Sequence, residues 1–133
     1  LASGKLRREK LLQRNWKAMR DDDWEDFLAE VFRALGATVK QTGRTGDQGV
    51  DLIVEFGRRR IAVQAKGYYH SVNGKAVQEA VAGVAHYRCD SSAVFTNSRF
   101  TKAAKELAAS NRCILIGEDE FADFVLGKIS IWT

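Results

Sequence analysis

Two short, mainly apolar stretches lie at residues 50–56 and 61–66, and a Gly-Arg-Arg-Arg turn separates them. This pattern predicts two β-strands that pair as an antiparallel hairpin. Pairing Phe56 with Ile61 would place Asp51 opposite Lys66, and Gln64 would share their face of the hairpin. The opposite face would be uniformly apolar. Its residues are Leu52, Val54, Phe56, Ile61, Val63 and Ala65.

The remaining apolar pattern predicts alternating helices and strands around this hairpin. Residues 22–35 carry an apolar stripe at helical spacing that ends at Gly36. Further strands are predicted at 37–41, 93–96 and 113–116, and further helices at 73–87, 101–110 and 118–126. The turn-rich residues 42–49 would form a loop with Asp47 in it. The order α-β-β-β-α-β-α-β-α favours an α/β fold in which helices flank a mixed central sheet.

Asp51, Gln64 and Lys66 form an unusual polar set on otherwise apolar strands. They could form a salt bridge at the rim of the sheet. They could equally form a metal site, because carboxylate and amide oxygens are ligands that suit Mg²⁺. A lysine beside such a metal can orient a water molecule or stabilise negative charge on a phosphate.

The spacing of these residues resembles the D…(D/E/Q)xK signature of the PD-(D/E)XK nuclease superfamily. More narrowly, the segments WEDFLAEVFRALGATVKQTGRTGDQGVD, IAVQAKGYYHSVNGKAVQE and VFTNSRFTKAAKELA are similar to the Mrr-type catalytic domain of prokaryotic restriction endonucleases. The resemblance covers roughly residues 22–121. It implies an αβββαβ core and a DNA endonuclease that uses Mg²⁺, for which Mn²⁺ can substitute.

The resemblance also assigns roles to individual residues. Asp51, Gln64, Glu25 and the backbone carbonyl of Ala65 would hold the metal, and Lys66 would orient the attacking water or stabilise the developing charge. Glu25 follows Trp24 where the family has a Phe-Glu pair, and Glu30 is held in reserve as the helix carboxylate. Gln64 replaces the commoner Glu of the superfamily. Because this removes one negative charge, one bound metal is expected rather than two.

Local charge predicts where DNA would bind. The overall net charge of +4 is misleading, because residues 1–20 carry +6 and the rest of the chain carries −2. Residues 57–75 contain five cations and no acid, and this stretch would lie beside the proposed site. The loop Gly-Tyr-Tyr-His-Ser after Lys66 could stack on bases or sugars, or simply pack. The predicted DNA-binding residues are Arg58, Arg59, Arg60, Tyr68, Lys75 and Gln78.

Length and composition suit one nuclease domain over residues 21–133, preceded by a basic arm or linker helix over residues 1–20. No apolar run is long enough to span a membrane, and Cys89 and Cys113 are isolated, so we expect a cytoplasmic protein with reduced thiols. The chain begins without Met, so we expect a further domain upstream on the same chain, and a homodimer is one possible assembly.

Three functional interpretations follow. The first is a metal-dependent DNA endonuclease that restricts foreign or modified DNA, of the type IV kind. The second is a non-catalytic DNA-binding or regulatory module that has kept the fold, although the complete set of Asp51, Gln64 and Lys66 argues against it. The third is a nuclease specific for DNA structure, similar to a Holliday-junction resolvase.

Overall fold

The computed structural model describes residues 2–42 and 50–132, so all of the predicted loop at 42–49 except Thr42, and with it Asp47, lies outside the described residues. These residues contain five helices, five strands and a short 3₁₀ helix at Trp16–Ala18. From α2 onward the elements follow the predicted order α-β-β-β-α-β-α-β-α, and α1 lies in the segment predicted as an arm or linker helix. The helices are α1 (Ala2–Leu12), α2 (Asp21–Ala34), α3 (Gly74–His86), α4 (Lys102–Asn111) and α5 (Phe121–Val125). The strands are β1 (Thr38–Gln41), β2 (Leu52–Phe56), β3 (Arg59–Lys66), β4 (Ser91–Thr96) and β5 (Cys113–Ile116).

The strands form one mixed sheet in the order β1-β2-β3-β4-β5. The first three strands pair antiparallel, and β3, β4 and β5 pair parallel. A two-residue turn joins β2 to β3, whereas each parallel pair is joined through a crossover helix, as parallel pairing requires. The predicted α/β class with a mixed sheet flanked by helices is confirmed.

The β2–β3 hairpin differs from its predicted register. Its turn consists of Gly57 and Arg58 alone, so Phe56 pairs with Arg59 rather than with Ile61. Gly57 adopts a φ of +60°, the positive value that a type II′ turn requires at its first central residue. Because the shift is by two residues, the paired side chains of β2 and β3 stay on their predicted faces of the sheet. Val50, which precedes the ladder, instead packs with Ile53 and Ala62 on the face that α3 covers.

Helices cover both faces of the sheet. The apolar face of the hairpin packs under α2, where Trp24, Leu28 and Phe32 are fully buried, and α5 completes this core with Phe121 and Phe124. The opposite face packs under α3 and α4, which contribute mainly small side chains. The polar set of the hairpin therefore lies on the face that α3 covers.

The segment predicted as an arm or linker contributes to the same core. Leu11 of α1 is buried, and Trp16 packs its ring 4.8 Å from that of Phe121. Asn97, which follows β4, donates through Nδ2 to the backbone oxygens of Trp16 at 2.9 Å and Met19 at 2.7 Å. Residues 11–19 are thus attached to the end of the central strands.

None of the helices in residues 2–42 and 50–132 combines the length and the apolarity that crossing a membrane would need. Both cysteines are free, with Cys113 buried and Cys89 half-buried.

Candidate active site at the end of strands β2 and β3

Asp51 lies where the hairpin ladder ends, immediately before β2. Continued pairing would place it opposite Gln64, but its backbone N–H donates to the oxygen of Val63 at 3.0 Å, one residue out of register, as in a β-bulge. The predicted pairing of Asp51 with Lys66 is therefore wrong. Instead, the Asp51 carboxylate accepts a 2.8 Å hydrogen bond from the backbone N–H of Ala65.

The Ala65 backbone is directed toward this carboxylate. In a strand, the N–H and C=O groups of one residue point to the same neighbouring strand. Because the Ala65 N–H reaches Asp51, the Ala65 carbonyl lies on the same side of β3. Two hard oxygen groups, the Asp51 carboxylate and the Ala65 carbonyl, thus share one side of β3.

Burial raises the pKa of Asp51 above its ordinary value of 3.8. The hydrogen bond from Ala65 and the positive charge of Lys66 oppose this rise, while the negative charges of Glu79 and Asp22 add to it. A carboxylate in this position is destabilised in the metal-free protein. A bound cation would relieve that cost.

Gln64 is the buried member of the set, with 3% of its surface exposed. Its Nε2 donates to Glu79 Oε1 at 3.2 Å, and a carboxylate partner fixes which end of the amide carries the nitrogen. Its Oε1 is buried and has no hydrogen-bond partner among the described residues. A buried amide oxygen without a partner is costly, and a bound cation is one partner that would satisfy it.

Lys66 ends β3 with its side chain about one-fifth exposed. Its Nζ lies 3.5 Å from Glu79 Oε1 and 5.9 Å from the centre of the Tyr68 ring. Its ammonium group also acts on Asp51, whose pKa it lowers. Asp51, Gln64 and Lys66 are therefore brought together as predicted, although not through the predicted strand pairing.

Glu79 on α3 is a member of the site that the sequence analysis did not identify. Its carboxylate contacts both Gln64 and Lys66, and its charge acts on Asp51. Helical spacing puts Glu79 off the apolar face of α3, which by itself does not mark a functional residue. A signal was present, because no acidic residue occurs between Lys66 and Glu79, so Glu79 is the first acid downstream that can pair with a lysine on a buried strand.

The two candidate helix carboxylates occupy different surroundings on α2. Glu25 is 6% exposed and accepts a 3.4 Å hydrogen bond from Gln41 Nε2. It lies one helical turn after Asp22, whose charge acts on Asp51, so Glu25 shares the side of α2 that faces the site. Glu30 instead forms a 3.0 Å ion pair with Arg14, and both side chains are about half exposed. This geometry favours Glu25 over Glu30.

A cleft of about 160 Å³ opens beside Lys66, between β3 and the start of α3. Lys75, Tyr68, His70 and Glu79 line it together with Lys66. The predicted DNA-binding residues Tyr68 and Lys75 thus flank the site.

Gln78 does not join the cleft. It lies on the other flank of α3, in a groove with Leu107 and Asn111 that α3 forms with α4.

The three arginines at the hairpin turn and the start of β3 are also remote from the site. Arg59 begins β3 and Lys66 ends it, a separation of roughly 23 Å at about 3.3 Å per residue. Arg60 is held there by a 2.7 Å ion pair with Glu55 and by the Tyr87 backbone oxygen. The expectation that Arg58, Arg59 and Arg60 lie beside the site is wrong. The turn joins one end of β2 to β3, whereas Asp51 and Lys66 lie at the other end of these strands.

Within the described residues, no three His, Cys, Asp or Glu side chains are grouped closely enough to hold a metal ion by themselves. A metal at this site would therefore depend on the Gln64 amide oxygen and the Ala65 carbonyl as well as on carboxylates. The unpartnered Gln64 Oε1 and the adjoining Asp51 carboxylate fit that requirement with hard oxygen donors.

Comparisons with known proteins agree on the fold. A family model described as restriction endonuclease, of the Mrr catalytic type, matches residues 16–125. The crystal structure of a protein of unknown function, AF1548, superposes with a TM-score of 0.60 at 19% identity, over 70% of this chain and 55% of that chain. The restriction endonuclease MspJI, solved with a 27-mer oligonucleotide, gives 0.53 at 23% identity over 91% of this chain and 30% of that chain. No sequence among curated proteins matches. The chain thus spans about half or less of the solved structures it matches.

Proposed function

The chain belongs to the Mrr-type restriction endonuclease family, and on that premise we propose that it is a metal-dependent DNA endonuclease whose active site is the end of β2 and β3. The observation that carries this proposal is the convergence of Asp51, Gln64 and Lys66 at one point, with the buried Gln64 Oε1 lacking a partner among the described residues. A rim salt bridge accounts less well for the site, because Lys66 contacts Glu79 and Gln64 Oε1 is left unsatisfied.

Asp51, Gln64 Oε1, the Ala65 carbonyl and Glu25 would hold the metal in this proposal. When bound, Mg²⁺ or Mn²⁺ supplies Lewis-acid polarisation of a phosphate oxygen and lowers the pKa of a water molecule. Gln64 contributes no charge, so the ligand set suits a single ion. The raised pKa of Asp51 supports the assignment, because a cation stabilises the carboxylate that burial disfavours.

The reaction is hydrolysis of a phosphodiester bond. Water adds to phosphorus, the bond from phosphorus to the leaving oxygen breaks, and the proton of the water is transferred away while the leaving oxygen gains one. Lys66 stabilises negative charge on the phosphate through its ammonium group or orients the water. Glu79 holds both Lys66 Nζ and the Gln64 amide, so that the Gln64 oxygen is directed away from α3.

Restriction of foreign or modified DNA is the biological role that we propose, with type IV activity as the finer class. The family and the fold shared with MspJI support it. Such a role would place the protein in the cytoplasm. Target choice would then depend on a further domain of the same chain, or on pairing of two copies.

Nicking of supercoiled plasmid in Mg²⁺ tests the proposal. We expect the wild type to nick, and Asp51→Ala and Lys66→Ala to lose about 100-fold or more in rate, as loss of a charge-stabilising group does. Arg59→Ala is the matched control, because Arg59 is a cation of β3 at the far end of the strand. Equal activity in all four proteins would contradict the assignment, as would a wild type that neither nicks nor binds DNA.

A further inference from the structure

We infer that Arg20 and Tyr69 form a stacking platform for DNA on the α2 side of the active site. This inference rests on the proposed nuclease function and extends it. Lys75 and Tyr68 flank the site on the α3 side. The Arg20–Tyr69 platform would contact the same strand on the other side, next to the scissile phosphate.

The two side chains are stacked and oriented before any ligand binds. The Arg20 guanidinium carbon lies 3.4 Å from the centre of the Tyr69 ring. Arg20 also donates to the backbone oxygens of Lys17 at 2.9 Å and of Met19 at 2.6 Å, which fix its position. Tyr69 nevertheless remains 79% exposed, the most exposed of the large hydrophobic side chains that the structure describes. A buttressed aromatic ring is therefore left open to solvent.

The backbone fixes this platform close to Lys66. Gly67 follows Lys66, and a Cβ on Gly67 would lie only 2.9 Å from the Met19 oxygen and 3.1 Å from the Arg20 Cα. Asn97 joins the two segments, since its Oδ1 accepts from the Tyr68 N–H at 3.1 Å while its Nδ2 donates to Met19. The platform thus has a defined place, three residues after the catalytic lysine.

The chemistry of the pair suits a nucleic acid strand. An exposed aromatic ring stacks on a base or a deoxyribose, and an adjoining arginine contributes charge toward a phosphate. Positive charge alone would not be enough to bind DNA here, because the acidic residues Asp21, Asp22 and Asp23 follow Arg20 directly. We therefore expect stacking on Tyr69 to contribute most of the binding free energy on this side of the site. Lys17 and Arg20 supply positive charge there.

Fluorescence anisotropy of a labelled single strand and of the matching duplex, in chelator to prevent cleavage, tests the platform. We expect Tyr69→Ala to weaken binding about tenfold, as loss of one stacked base does, without changing the salt dependence. Tyr69→Phe keeps the ring and should bind like the wild type. Arg20→Ala should weaken binding and reduce the slope of log affinity against log salt by about one. Arg33→Ala, an exposed arginine at the other end of α2, is the control and should bind like the wild type.

The outcomes separate the two claims. A wild type that nicks and binds DNA, with Tyr69→Ala and Arg20→Ala binding equally well, would overturn the platform and leave the nuclease assignment in place. Variants that lose only thermal stability, with unchanged affinity once folded, would also overturn it. A wild type that nicks plasmid in Mg²⁺ but binds neither DNA in chelator would overturn the platform alone, and a wild type that neither nicks nor binds would overturn both claims.

Discussion

Asp51 carries a charge that the metal-free fold does not favour. Its carboxylate is held by the Ala65 N–H, but burial and the charges of Glu79 and Asp22 together raise its pKa. A residue whose ionised form is destabilised in the folded protein is more often a functional residue than one that stabilises the fold. The loss of folding stability caused by ionisation of Asp51 should therefore be measurable without any substrate.

We predict that Asp51→Asn is more stable than the wild type at neutral pH in chelator. Because the folded pKa lies above the unfolded value of 3.8, the wild type should lose stability as the pH rises through the folded pKa. Asparagine can still accept the Ala65 hydrogen bond and has no charge to bury. Thermal unfolding from pH 3 to pH 8 checks this. An Asp51→Asn protein that is less stable than the wild type throughout that range would contradict the expected sign.

A second prediction for a single residue concerns Glu79. Glu79→Ala would leave the buried Gln64 amide without its acceptor, which costs about 1–3 kcal/mol of folding stability. Glu79→Gln keeps an acceptor oxygen and should recover most of that stability, while the loss of charge beside Lys66 still alters the pH dependence of nicking. Urea unfolding and pH–rate profiles check the two effects.

The control for Glu79 is its neighbour on α3. Gln78→Ala removes a side chain that faces α4 rather than the cleft, and should leave both stability and nicking near wild-type values. If Gln78→Ala is as damaging as Glu79→Ala, the side chain of Glu79 has no special role.

Among the elements, the alternation of side chains along a strand was sufficient to predict which paired residues of β2 and β3 share a face, but it did not predict that Val50 packs on the α3 face. The register of the hairpin was not predictable from alternation, because any shift by two residues preserves the faces. The position of the turn decides the register, and Gly57 sets it through its positive φ. The same geometry explains why Arg58, Arg59 and Arg60, although close to Lys66 in sequence, lie at the other end of β3.

The packing of α3 on the hairpin gives a prediction for Gly83. A Cβ at this position would lie 2.0 Å from Val50 Cγ2, the residue before Asp51. Gly83→Ala should therefore move α3 away from the hairpin and destabilise the fold by about 1–3 kcal/mol, although the same change in a helix normally stabilises. Gly74→Ala in the same helix meets only an ordinary 3.4 Å contact and serves as the control in urea unfolding. Similar stability changes in the two variants would argue against this close contact.

For the whole molecule, the sequence alone was sufficient to predict the element order from α2 onward and the α/β class. It also predicted that Asp51, Gln64 and Lys66 lie close together. What it could not supply were contacts between distant segments. Trp16 packs on Phe121, and Asn97 ties residues 16–19 to the end of the sheet. These contacts join residues that lie some 80 to 105 positions apart, and no local pattern encodes them. The place of Arg20 beside Tyr69 depends on the same long-range contacts.

In the proposed function, a metal ion held at Asp51 makes this site a nuclease. The most direct test is the rate of plasmid nicking by the wild type and by Asp51→Asn as the Mg²⁺ concentration is raised from a chelated start. We predict no nicking in chelator, a rate for the wild type that rises with Mg²⁺ and saturates, and no nicking by Asp51→Asn at any concentration. Nicking by the wild type in chelator, or equal nicking by Asp51→Asn, would show that the reaction does not depend on a metal at Asp51.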